Sequence, residues 1–73
     1  MGVVVEYAIV FNRNDYNIVD RILTQFYERG DIDSVTVDSV SPDGESIRVW
    51  IECSTDDFDA VRNELLNHDV EFE

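Results

Sequence analysis

Lysine is absent from this chain, and cysteine, histidine and proline each occur once. The single cysteine, Cys53, excludes an intrachain disulfide, so the staple of small secreted domains is missing and a reducing, cytoplasmic setting is expected. The one histidine, His68, falls where a helix is expected to end, and no Ser-His-Asp or Cys-His constellation can be assembled around it. Three glycines hold no phosphate-cradling loop. Long apolar runs are missing too. "MGVVVEYAIVF" has no positive flank and meets Glu6 after three valines, so neither a signal peptide nor a membrane span is expected. It also lacks a hydroxyl residue at the sixth position, which leaves Gly2 as a permissive second residue and not a myristoylation site. Cationic charge is scarce: five arginines (Arg13, Arg21, Arg29, Arg48, Arg62) face 17 carboxylates, for a formal net charge of −12. Such a surface repels polyanions, so direct contact with nucleic acid or an anionic membrane is disfavoured and cationic protein surfaces are the expected partners.

What is present is enough to fold. The hydrophobic fraction is 44 %, too high for a disordered acidic tail, and 73 residues make one domain spanning 1–73. Residues 3–11 read as a strand that is apolar on most of both faces, and therefore central. Asn12 and Asn14 are N-cap candidates for a helix from Asp15 to Arg29, with Tyr16, Val19, Ile22, Leu23, Phe26 and Tyr27 at helical spacing and Gly30 as the stop. Residues 32–40 alternate, with Val35 and Val37 on one face and Ser34, Thr36 and Asp38 on the other. "SPDGES" then predicts a hairpin, Pro42 setting the first central turn position and Asp43-Gly44 closing it. The next strand turns Ile47, Val49, Ile51 and Cys53 inward and Arg48, Trp50 and Glu52 outward. Ser54 or Thr55 caps a second helix with Phe58, Val61, Leu65 and Leu66 as its buried stripe. "VEFE" is long enough for a last strand burying Val70 and Phe72.

The order strand, helix, strand, strand, helix, strand specifies an α+β domain and resembles the ferredoxin-like βαββαβ sandwich, a four-stranded antiparallel sheet with both helices on one face. That layout hosts many unrelated functions. It leaves one sheet face bare, showing Val4, Glu6, Ala8 and Val10 beside Arg48, Trp50 and Glu52. There Trp50 either covers Ala8 and Val10 while Arg48 and Glu52 pair along the strand, or anchors a contact with a second copy or another protein. RNA-recognition modules share the layout and stack bases on central-strand aromatics, but here Trp50 is the lone aromatic on that face and the basic surround is missing, so RNA is not the expected ligand. "NRNDYNIVDRILTQFYERGDI" is similar in rhythm to the first crossover of ACT domains, regulatory modules that bind amino acids. Asn14-Asp15 stands where those carry Pro-Gly, so no ligand residue is carried over.

No enzyme is expected, and no metal or cofactor. Asp56, Asp57 and Asp59 cluster, but acidic residues in a first helical turn answer the helix dipole without a ligand. "DIDSVTVDSVSP" begins like a calcium loop, yet Thr36 and Pro42 fall where glycine and a bidentate glutamate belong. His68 suits a helix C-terminus, and Cys53 reads as an inert small hydrophobe. The functional expectation is a non-catalytic acidic binding protein that engages a basic, nucleic-acid-binding protein. In size and charge it resembles the small phage inhibitors that mimic nucleic acid. Its expected contacts are Trp50, Arg48, Glu52 and Glu6 on the open face and Asp56, Asp59 and Glu64 on the second helix. The competing reading is a halophile's regulatory or ligand-binding domain of ACT-like layout, dimeric through the open face, whose acidity is an adaptation to salt.

Overall fold

The computed structural model describes residues 3–73, so Gly2 lies outside the described residues. The elements are β1 (Val5–Asn12), a 3₁₀ turn (Arg13–Asp15), α1 (Tyr16–Glu28), β2 (Ile32–Val40), β3 (Ser46–Cys53) and α2 (Thr55–Asn67). The three strands form one antiparallel sheet in the order β1-β3-β2.

Side-chain alternation sets up the core. Ile9 and Phe11 of β1 lie opposite Val49 and Ile47 of β3, and all four are buried. They join Val19, Ile22, Leu23 and Phe26 of α1 and Val61 and Leu65 of α2 in one apolar cluster. Fully burying such a side chain contributes about 1.5–3 kcal/mol. Tyr7 of β1 fixes the start of α2: its ring stacks on Phe58 at 3.8 Å, and its hydroxyl donates to Thr55 Oγ1 at 3.2 Å.

The turns follow local chemistry. Gly30, at φ +83°, lets its own N–H reach the Tyr27 carbonyl and the Asp31 N–H reach that of Phe26, which closes α1. In the hairpin the Gly44 N–H donates to the Ser41 carbonyl, and Gly44 takes φ +74°. Asp43 stands at the centre of that turn, contacted by the Ser41 hydroxyl and receiving the Glu45 N–H. These bonds, Ser41's first, hold its carboxyl below the usual range. Ser54 caps α2, its hydroxyl oxygen accepting the Asp57 N–H.

Several expectations need correction. The first strand starts at Val5. Val5 pairs with Cys53 at the very end of β3, so Val3 and Val4 have no backbone left to pair with. Asp15 belongs to the 3₁₀ turn, where Asn12, not Asn14, is the side-chain cap. Leu66 is 54 % exposed, because the buried stripe advances from Val61 to Leu65 and leaves its neighbour about 100° off the core. Phe58 is only partly buried. After α2, Asp69 at φ +60° turns the chain back and Val70 drops into the core. Where the last strand is expected, Phe72 forms an antiparallel bridge with Phe11, so three of the four expected strands are shown and nothing conflicts with the fourth.

Candidate protein-binding face

The face of the sheet turned away from the helices carries Trp50 at its centre. Its cross-strand partners are Ala8 on β1 and Thr36 on β2. Both are small, so the indole stands above its surroundings with 37 % of its surface exposed. Toward one end of the strands Glu52 lies directly opposite Glu6, and toward the other Arg48 lies opposite Val10.

The charges on this face divide by register. Arg48 Nη1 reaches Asp38 Oδ2 at 3.6 Å, and Glu52 Oε1 accepts the Ser34 hydroxyl at 2.9 Å. The expected pairing of Arg48 with Glu52 along the strand does not occur. Four residues at about 3.3 Å each separate their Cα atoms by about 13 Å, and Trp50 stands between them on the same face. The irregularity in β2 between Val37 and Ser39 brings Asp38 to Arg48 instead. One end of the face is thus neutralised. The other holds two carboxylates side by side, neither in an ion pair among the described residues. Like charges directly opposite one another destabilise a sheet.

The helix-two carboxylates do not join this face. Val61 and Leu65 seat α2 in the core on the opposite side of the sheet, so Asp56, Asp59 and Glu64 are separated from Trp50 by the sheet itself. Asp59 pairs with Arg62 at 3.9 Å, and Glu64 lies 3.2 Å from His68 Nε2. The Asp57 carboxylate accepts the Ser54 hydroxyl at 2.9 Å, a capping role. Among the described residues no three His, Cys, Asp or Glu side chains converge on a point that could hold a metal ion, and none of their helices is long and apolar enough to cross a membrane. Cys53 is buried, and that burial, with Asp57 and Asp33 adding, pushes its thiol up to about 11. A polar crevice of about 340 Å³ between the 3₁₀ turn and the hairpin is lined by Asn12, Arg13, Asn14, Asp43, Gly44 and Glu45.

No protein-family model, curated protein or solved structure matches the chain.

Sequence reasoning placed β2 at residues 32–40 with Val35 and Val37 on one face, but not the exposure of that face. Val35, Val37 and Val40 lie opposite Ile51, Val49 and Ile47, on the helix side of the sheet, yet they are 36 %, 52 % and 55 % exposed.

Proposed function

We propose that this domain is a non-catalytic acidic binding protein that presents its open sheet face to a basic, nucleic-acid-binding protein and occupies the surface meant for phosphates. The observation that carries this reading is the pair Glu6 and Glu52 set opposite each other beside Trp50, with no cation among the described residues in an ion pair with either. An arginine or lysine of a partner would stack on the indole and meet both carboxylates. That contact would relieve a repulsion the free domain bears, and a cation over an aromatic face is worth about 0.5–2 kcal/mol.

Charge density supports mimicry. Twelve net negative charges along a 40 Å long axis amount to one per about 3.3 Å, against one per about 3.4 Å along a single DNA strand. No charged residue is buried among those described, so the whole complement acts outward, steering a basic partner at low salt.

The layout we infer is the four-stranded ferredoxin-like sandwich. Val10 of β1 and Glu73 of the tail exchange backbone hydrogen bonds of 3.1 and 2.9 Å, which supports a fourth strand on that edge. Salt adaptation is the second reading. It is favoured by the scatter of carboxylates over every element instead of one patch.

Titration with an arginine-rich peptide, followed by calorimetry for every variant and by Trp50 emission where the indole is kept, tests the proposal. Binding should weaken steeply with salt. Trp50→Ala and Glu52→Arg should each lower affinity about tenfold, whereas reversing Asp56 should cost far less. Equal losses from all three would place the contact elsewhere.

A further inference from the structure

The strand order β1-β3-β2 leaves the outer side of β2 without a neighbour among the described residues. α1 and its turn cover only the start of β2, where Ile32 is buried; from Val35 onward the helix-side valines are open. An edge of this kind, with free backbone groups and apolar side chains, is the form of surface that accepts an added strand. Its flanks are specific. The pairing with β3 shifts between Ile32 and Ser34 and again between Val37 and Ser39, so an aspartate interrupts the ladder at each end and four regular residues, 34–37, lie between.

We propose that β2 is a docking edge for an extended segment of a basic partner in which apolar and cationic residues alternate. Paired against residues 34–37, such a segment would turn its apolar side chains toward Val35 and Val37, and its cations toward the open face, beside Asp38 and Glu52. Charge decides the occupant. A second copy would bring another net −12 and set its own aspartates against Asp33 and Asp38, a juxtaposition that like-charge repulsion disfavours. A neutral strand would bring no cation to Asp33 and none beyond Arg48 to Asp38. The inference rests on the reading of the partner as basic, and it adds the partner's conformation and a second contact surface.

The test uses a short peptide alternating arginine and valine, a peptide of the same composition with its arginines clustered at one end, and the alternating peptide N-methylated at every second residue. The alternating peptide should bind at least tenfold more tightly than either control and slow amide exchange across residues 34–37. Joint Val35→Thr and Val37→Thr substitution, which keeps side-chain shape and strand propensity, should remove that advantage. Equal affinity for the alternating and clustered peptides, without protection of β2, would overturn edge docking and leave the basic-partner reading standing. Failure of every basic peptide to bind at low salt would overturn both. A dimer with protected β2 amides before any peptide is added would make the occupant a second copy, which also overturns the proposal.

Discussion

β2 and β3 are the two arms of one hairpin, and both point alternate apolar residues to the helix side of the sheet, but with opposite outcomes. On β3, Ile47, Val49, Ile51 and Cys53 are buried, whereas their partners on β2, Val40, Val37 and Val35, stand in solvent. Only Ile32, opposite Cys53, shares the fate of β3. The difference shows that alternation assigns a side chain to a face and says nothing about how far the helices reach across it. Two helices of 13 residues each cover β1 and β3, and the third strand overhangs.

The contrast can be attacked most sharply with thiols. Cys53 should resist labelling at pH 8, while the cysteine of a Val37→Cys variant reacts at once. If Cys53 reacts only through global opening costing about 5 kcal/mol, the two rates differ by more than about a thousandfold. Comparable rates would mean that β3 is not sealed. The same burial makes stability fall in alkali. The thiol, raised from 9.0 to about 11, favours the fold fully below the unfolded value and loses that contribution as pH climbs through the window to 11. An unfolding midpoint that is flat from pH 8 to 11 would contradict this.

Truncating the buried arm comes next. Ile51→Ala should cost about 3 kcal/mol in chemical denaturation, and a cost below about 1 kcal/mol would place Ile51 outside the core. Gly44→Ala, which forces φ +74° on a residue with a Cβ, should cost about 1–2 kcal/mol and loosen both arms together. Val37→Thr should change stability by no more than about 0.5 kcal/mol, and a loss near that of Ile51→Ala would mean β2 is covered. Smallest is acidification of the turn. The Asp43 carboxyl is held below its usual 3.8, so its contribution is complete above that value and fades as pH falls through the lowered one. The amide shifts of the hairpin should be steady from pH 8 to 5, move below that, and lose this movement in Asp43→Asn.

Much of this was legible in the residues. The alternation of β3, the Pro42-Asp43-Gly44 hairpin and the Ser54 cap are local signals, and each appears where local chemistry puts it. Arg48's partner was not legible, because it depends on a slip in β2 that places Asp38 across from it. Leu66 misled because two adjacent leucines satisfy one helical stripe equally well until a sheet chooses between them. The Glu6–Glu52 juxtaposition is fixed by the register of β1 on β3, and neither strand states that register by itself. The separation of the α2 carboxylates from Trp50 follows from which side of the sheet α2 packs against. The exposure of the β2 valines is a property of helix reach, which no pattern within the strand encodes.

The central claim is that the surplus of negative charge serves a cationic partner and not survival in brine, and the salt dependence of folding tests it most directly. Unfolding midpoints measured from about 0.1 M to several molar salt should show a folded domain throughout, with only the modest gain expected from screening of self-repulsion. A domain that is unfolded at 0.1 M and recovers only in molar salt would contradict the account.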